Sequence, residues 1–386
     1  MGIEYPSRRW AWIEVDLGAI RRNARAFKAL LEPGVRMMCA VKADAYGHGA
    51  VECARALSSA GASQFAVATV DEGIQLRRGG ITEPILMLNE SPMEALDDLL
   101  QYDIMPAVFT TEYALAYGER AVALGKVGRY HLAVDTGMSR IGVMPQDAVA
   151  FRRAIEFHRG IECAGTFTHF ATADVIGDWD FRRASERFMG AVSALREAGL
   201  ETGLVHCDNT PGTVLHPELH NDMCRVGIGL YGLQPAETTA PRISLEPAMS
   251  VRARVTRVAE PAVGEGVSYG LTYRVSKPRT KVCTVPVGYA DGLSRALSNN
   301  MDVIVDGQRA HQVGRICMDQ FMFAVEPPDG LRRRTAPQVE RGQLVTILGR
   351  DGEACITADE LAQRLGTINY EITCDLGMMR LQRVFV

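Results

Sequence analysis

VRMMCAVKADAYGHGAVECARALSSAG occupies residues 35–61. It opens with an apolar run, ends that run on Lys42, and passes Gly47 and Gly49 into an amphipathic stretch. A near-continuous apolar strand is what a parallel sheet covered on both faces requires. The two glycines permit a tight entry into the helix that follows. Working outward, the same texture recurs as QFAVATV (64–70), EPILMLN (83–89), MPAVFT (105–110) and RYHLAVDTG (129–137). CAGTFTHF (163–170), LVHCDNT (204–210) and RVGIGLYG (225–232) complete the series. Amphipathic segments such as DEGIQLRRGG and DWDFRRASERFMGAVSALREAG lie between most of them. Strand–helix alternation forces right-handed crossovers, and eight repeats close naturally into a (β/α)8 barrel. An open doubly wound sheet satisfies the same alternation, so both remain open at this point.

The segment WAWIEVDLGAIRRNARAFKALL (10–31) reads as a strand, then a helix begun at Asp16. An aspartate suits a helix N-terminus, and its strand is spare to the eight. Past Pro241 the texture changes. VRARVTRV (251–258), TKVCTVPVGYA (281–290), MDVIVDGQ (301–308), QFMFAVE (320–326) and QLVTILG (343–349) are strands without helices between them. This reads as a mainly-β domain with one short helix at ADELAQRLG (358–366). The expected division is 1–240 and 241–386, with the boundary in QPAETTAPRISLEP (234–247).

Composition excludes more than it names. A chain of 386 residues exceeds the usual single core, so two domains are expected. Hydrophobic content of 47% and charged content of 23% are ordinary for a soluble globular protein. A formal charge of −4 argues for neither a nucleic-acid nor a membrane partner. Nine scattered cysteines show neither zinc spacing nor a disulfide framework, and no metal is expected. No apolar run approaches the ~20 residues of a membrane span. A cytoplasmic protein is expected.

In a parallel barrel, function gathers at the C-terminal strand ends. Those ends carry Lys42, Asn89, Asp135 with Arg140, His169, Asn209 with Thr210, and Tyr231. A lysine at an apolar barrel mouth is partly desolvated, which frees its neutral amine to attack an aldehyde; a rim lysine snorkelling to solvent is the plain alternative. Asn209-Thr210-Pro211-Gly212 and Gly227-Ile228-Gly229 are candidate phosphate turns at the position where many barrels hold one.

AVKADAYGHG (40–49) resembles the cofactor-lysine motif of the alanine racemase family. The resemblance continues through VDTGMSRIG (134–142), THFATAD (168–174), HCDNT (206–210), RVGIGLYG (225–232) and VSYG (267–270). It extends to VPVGYADG (285–292), VGRICMDQ (313–320) and TINYE (367–371). That family pairs an N-terminal (β/α)8 barrel with a C-terminal β domain, and its first strand (here about 11–16) crosses to the β domain. The resemblance implies that Lys42 carries pyridoxal 5'-phosphate as a Schiff base. Tyr46, Asn209, Thr210, the Gly227 and Ile228 backbone, and Tyr370 would hold the cofactor and its phosphate. His169 would flank the ring, His206 would support Arg225, and Arg225 would face the pyridine nitrogen. Arg140 and the Met318 backbone would orient substrate. Tyr289 would be the second catalytic base, reaching the site of the partner subunit in a homodimer.

Racemisation needs acid/base groups on both faces of a planar carbon, here Lys42 and Tyr289. A guanidinium holds its proton, so Arg225 keeps the ring a weaker electron sink and disfavours side reactions such as transamination. The resemblance further implies conversion of L- to D-alanine for bacterial cell-wall peptide. One departure stands out. Where many family members have a lysine, modified to a carbamate that holds the substrate-side arginine, this chain has Ala133, and Arg140 must be held by chloride, water or Asp135. Racemisation of serine, a basic amino acid or a broader set is the alternative; a non-catalytic cofactor carrier fits less well, because such proteins lack the β domain.

Overall fold

The computed structural model describes residues 8–327 and 338–386. The chain divides into two compact units. One gathers Gly18–Ala45 and Ala50–Glu246; the other gathers the chain up to Leu17, Tyr46–Gly49 and Pro247 onward.

The first unit is a parallel barrel. After β1 (Ala11–Val15) come β2 (Arg36–Ala40), β3 (Gln64–Val67), β4 (Ile85–Met87) and β5 (Ile104–Val108). They are followed by β6 (Gly128–Ala133), β7 (Ile161–Phe167), β8 (Leu204–His206) and β9 (Met223–Val226). Neighbours pair in chain order from β2 to β8, and β9 returns to pair with β2. The remaining seam, β8 to β9, is bridged by backbone bonds from Asp222 N–H to Val205 O (3.1 Å) and from Arg225 N–H to Asp208 O (3.1 Å). The closed barrel is therefore the outcome, and the doubly wound sheet is not. Most of the strands are short and largely buried, as β3 and β5 show, which explains their uninterrupted apolar sequence; β7 is only partly buried over its first four residues. RVGIGLYG, expected as one strand, stops at Val226 and continues as a 3-10 turn over Ile228–Tyr231.

The second unit is built on one sheet. Its order runs 257–259, 281–285, 321–325, 308–313, 302–305, 344–351, 249–254, β1 and 382–385. β1 lies antiparallel to Met249–Arg254 and parallel to Gln382–Phe385, so the spare strand belongs to this sheet. The hairpin at VDGQ turns through Asp306 (φ 51°) and Gly307 (φ 66°). The expectation of a single short helix is corrected: Ala358–Leu365 is followed by a second helix, Asn369–Met378. Its sequence NYEITCDLGM carries no continuous apolar stripe, so the usual periodic signal is missing. Packing selects it instead, because a Cβ on Gly47 would collide with the Thr373 carbonyl, and one on Gly377 with the Gly47 backbone.

Gly47 has φ +86° and is walled by backbone; Gly34 has φ +96° with nothing within 4 Å. Gly47→Ala combines left-handed strain with overpacking and is expected to cost on the order of 2–3 kcal/mol. Gly34→Ala carries only the conformational part. Thermal unfolding of the two variants should separate these contributions, with Gly47→Ala melting well below Gly34→Ala.

Candidate active site

Lys42 is separated from the end of β2 by Val41 alone, and the backbone after it is unusual. Ala43 (φ 50°, ψ 48°), Asp44 (50°, 50°) and Ala45 (56°, 49°) form a left-handed turn that continues into Tyr46 (φ 52°). The sequence pointed to Gly47 and Gly49 as the turn-makers. Both glycines are indeed at positive φ, but the left-handed run begins earlier, at Ala43, on residues with side chains, at about 1–2 kcal/mol each. Hydrogen bonds hold it. Glu72 Oε1 accepts the Ala43 N–H at 2.7 Å, Val41 O accepts that of Ala45 at 2.8 Å, and Asp44 Oδ1 accepts that of Ala50 at 2.7 Å. Backbone strain of this kind persists where surrounding structure over-determines it, commonly at functional sites. Glu72 was missed from sequence. Its capping box with Thr69 is legible as T-x-x-E, but its reach to Ala43 is not.

Lys42 lines a cavity of about 260 Å³ together with Asn89, Ala133, Asp135, Arg140 and His169. The barrel thus brings together five of the strand-end residues singled out from sequence. Arg140 is exposed and has no partner among the described residues. Asp135 does not hold it: its Oδ1 accepts the N–H groups of Gly137 and Ser139, each at 3.0 Å, and so shapes its own loop.

Arg225 is buried, 5% exposed, and has no carboxylate within ion-pair reach among the described residues. Its Nη1 donates to His206 Nδ1 (2.9 Å) and His206 O (3.0 Å). Nη2 donates to Thr168 O (2.7 Å) and Cys207 O (3.1 Å), with a longer contact to His169 Nδ1 (3.5 Å). The guanidinium also lies 5.3 Å from the centre of the Phe167 ring. Burial pulls Arg225 down to about 10, so it stays protonated at neutral pH. Burial and then the neighbouring Arg225 push His169 down to about 3 and His206 well below its ordinary value. Both histidines are neutral acceptors. Of the five N–H bonds of Arg225, the one on Nε has no protein acceptor among the described residues.

Asn209 and Thr210 begin the helix Thr210–Leu215. Asn209 Oδ1 caps it by accepting the Gly212 N–H at 3.1 Å, and Asn209 Nδ2 donates to Phe170 O at 3.2 Å. Both polar ends of Asn209 therefore serve the scaffold. Thr210 Oγ1 accepts the Gly227 N–H at 2.8 Å, which spends that amide and turns the threonine proton outward as a donor. The next amides, on Ile228 and Gly229, stand at the start of a 3-10 turn whose first return bond is Leu230 N–H to Gly227 O (2.9 Å). Gly229 must lack a side chain because a Cβ there would strike the Phe27 ring.

In the second unit, Tyr289 starts a 3-10 turn, Tyr289–Asp291. It is 39% exposed, and Met318 is 53% exposed. The turn is pinned to the Cys317–Met318 backbone by bonds from Tyr289 N–H to Cys317 O (3.0 Å) and from Ala290 N–H to Met318 O (3.0 Å). Asp291, missed from sequence, is the keystone: its fully buried carboxylate accepts from Arg9 (2.6 Å), Arg380 (3.1 Å) and the Gly288 N–H (3.0 Å). Tyr46 and Tyr370 meet edge to face with ring centres 6.0 Å apart.

A parallel barrel with an amine at one strand end and a histidine-seated arginine inside, joined to a β unit presenting an exposed phenol, defines a two-domain barrel enzyme. Residues 15–235 match the family "Alanine racemase, N-terminal domain" and residues 248–385 match "Alanine racemase, C-terminal domain". The chain belongs to the alanine racemase family of pyridoxal-phosphate-dependent isomerases. It is 41% identical over 378 residues to the alanine racemase of Desulfovibrio desulfuricans, covering 98% of each chain. It is 42% identical over 369 residues to that of Symbiobacterium thermophilum, covering 96% of this chain and 95% of the other. Among solved structures, the alanine racemase of Clostridium difficile superposes with TM-score 0.90 at 36% identity, covering 100% of this chain and 97% of that one. That of Bacillus anthracis with bound L-Ala-P gives TM-score 0.90 at 36% identity, covering 99% and 96%.

Burial opposes ionisation of Asp291, yet the bonds from Arg9, Gly288 and Arg380 outweigh it and hold the carboxyl below its ordinary value. A depressed acid contributes stability that is present above its unfolded pKa, ~3.9, and is lost as pH falls through the folded value. Asp291→Asn is therefore expected to lower stability at neutral pH by about 1.5–3 kcal/mol. Its stability should also decline less steeply between about pH 5 and pH 2 than that of the parent. Chemical denaturation across that range checks both.

Proposed function

We propose that this chain interconverts L- and D-alanine with pyridoxal phosphate carried on Lys42, as a homodimer in which each site combines Lys42 of one protomer with Tyr289 of the partner subunit. The observation that carries the reading is Arg225: a buried cation seated on neutral histidines and carbonyls, with one N–H left over. That donor suits a pyridine nitrogen. The Thr210 hydroxyl and the Ile228 and Gly229 amides suit a phosphate, and the family's dependence on this cofactor supports the fit. When bound, pyridoxal phosphate withdraws electrons from the α-carbon of an amino acid and makes its proton acidic.

The chain's own residues do the rest. Arg225 donates from Nε and keeps its proton, because a group that titrates near 10 does not give it up at pH 7. His206 fixes Arg225, and Thr168 O and Cys207 O prevent it from rotating. Arg140, the cation without a protein partner at the pocket, suits the substrate carboxylate. Lys42 Nζ exchanges a proton on one face of the α-carbon, and the hydroxyl of Tyr289 of the partner subunit exchanges one on the other. The exposure of Tyr289 and Met318 on their own unit supports presentation to a second copy. A cytoplasmic setting and supply of D-alanine for cell-wall peptide belong to the same reading; among the described residues, no helix is long and apolar enough to cross a membrane.

Ala133 gives substance to a second reading. It lines the pocket beside Arg140 and offers no charge to hold it, which favours tolerance of amino acids larger than alanine, serine among them. A racemisation assay over a panel of free L-amino acids with added pyridoxal phosphate decides. Fastest turnover of alanine supports the first reading, comparable rates for several substrates support the second, and no racemisation of any substrate overturns both.

Lys42→Ala is expected to lose the near-ultraviolet and visible absorbance of lysine-bound cofactor along with at least 10³-fold in activity, about 4 kcal/mol of barrier. Tyr289→Phe should suppress solvent-deuterium exchange mainly for one enantiomer of alanine. Mixing the two inactive variants under conditions of subunit exchange should restore activity; failure despite proven exchange counts against shared sites.

A further inference from the structure

Asp208, His220 and Cys224 form a cluster on which the racemase chemistry makes no call. Asp208 lies two residues past the end of β8, His220 in the connection to β9, and Cys224 on β9 itself. Side chains alternate along a strand, so Cys224 faces away from the barrel interior that its neighbour Arg225 occupies. The three residues are 0%, 3% and 0% exposed, and none lines the pocket of Lys42. One donor atom of each lies within 4.8 Å of the other two.

Two members of this cluster are unsatisfied, for separate reasons. The Asp208 carboxylate meets only thiols, Cys224 Sγ at 3.8 Å and Cys207 Sγ at 4.0 Å. Among the described residues it has no N–H donor, no hydroxyl donor and no ion pair. Buried carboxylates are ordinarily paired or bound to a metal. The helix Thr210–Leu215 closes over it, since a Cβ on Gly212 would collide with Asp208 Oδ1. His220 Nε2 lies 2.9 Å from Thr213 O. A carbonyl only accepts, so Nε2 carries the proton and the neutral ring presents a lone pair on Nδ1. That atom is buried and has no partner. An imidazole that spends one N–H on a carbonyl and keeps the other nitrogen bare is arranged as metal-bound histidines are. A proton on Asp208 would neutralise the carboxylate yet leave His220 Nδ1 unmatched; one cation satisfies both.

We propose that Asp208, His220 and Cys224 bind a structural zinc ion that staples the β8–β9 seam, the barrel junction that lacks a strand ladder. Points within 4.8 Å of one another share a centre within about 2.8 Å of each. Inward shifts of roughly 0.5–0.8 Å therefore reach zinc bonds of about 2.0–2.3 Å. A mixed oxygen, nitrogen and sulfur set suits zinc, whereas calcium and magnesium take oxygen. On binding, the Cys224 thiol proton leaves to solvent, and thiolate and carboxylate balance the dication. Cys207 Sγ, 4.0 Å from Asp208 Oδ1, can complete a four-coordinate site. The donors lie 12 and 4 positions apart in sequence, outside the usual zinc spacings, so sequence reading expected no metal. The inference does not rest on the reaction proposed above.

Holoenzyme isolated from zinc-supplemented cells and passed over a chelating resin is expected to retain about one zinc per chain. Cys224→Ser keeps a donor to Asp208 and removes the thiolate; it and Asp208→Asn should each lower the zinc content at least tenfold. A merely hydrogen-bonding cysteine would leave that content unmoved. Zinc-loaded holoenzyme should also melt above holoenzyme from zinc-depleted cells, because the ion binds the folded chain. Crystals of the unmodified holoenzyme should show anomalous scattering at the zinc edge among the three residues, and this decides where a variant does not fold. Holoenzyme without zinc, zinc retained by both variants, an anomalous peak only elsewhere, or equal melting of the two preparations overturns the proposal.

Discussion

A guanidinium buried without a carboxylate organises the barrel interior. Four of the five N–H bonds of Arg225 are met by three backbone carbonyls and two imidazoles, and those acceptors come from the ends of two neighbouring strands. Thr168 and His169 follow β7, His206 ends β8, and Cys207 follows it. Removing a charge from water in this way is costly unless every donor is matched. The strand ends are consequently held in register by the need to satisfy one side chain. The neutrality of His206 follows from the same contact, because a protonated imidazole would face a cation in a site of low dielectric.

The strained turn after Lys42 expresses a related constraint at the C-terminal end of β2. Four residues in the left-handed region are tolerable only because Glu72, Val41 and Asp44 each take or fix a backbone amide. Such a turn sets the direction in which the chain leaves the lysine, so the amine sits at the pocket on a rigid strand end rather than on a loop. Precision at the reacting group comes from that rigidity. In the other unit Asp291 does comparable work, tying the turn that carries Tyr289 to Arg9 and Arg380. Both anchors are carboxylates whose partners are backbone amides and arginines.

These anchors mark where sequence reading stops. The eight barrel strands were legible because burial on both faces demands runs such as CAGTF and IMPAV. The spare strand was legible because WAWIEV had no place among the eight. Lys42, Arg140 and His169 were legible as polar residues ending apolar runs. Glu72 shows in sequence only its local capping box and Asp291 looks like an ordinary surface acid, since nothing local distinguishes such carboxylates from ones that also bind a distant amide. The helix Asn369–Met378 escaped for a similar reason: its stripe is weak, and a backbone-to-backbone approach at Gly47 and Gly377 selects it.

The sequence by itself determined the barrel, the separate β unit and the identity of the strand-end residues, because apolar periodicity and motif order are written along the chain. Tertiary structure alone decided that Asn209 caps a helix, that the Gly227 amide is spent on Thr210, and that Asp135 leaves Arg140 unpartnered. It also decided the direction of the Arg225–His206–His131 chain, in which His206 accepts from Arg225 and donates to His131. Hydrogen-bond satisfaction is a property of neighbours in space, and partners such as His131 and His206, 75 positions apart in sequence, cannot announce such pairing in one dimension.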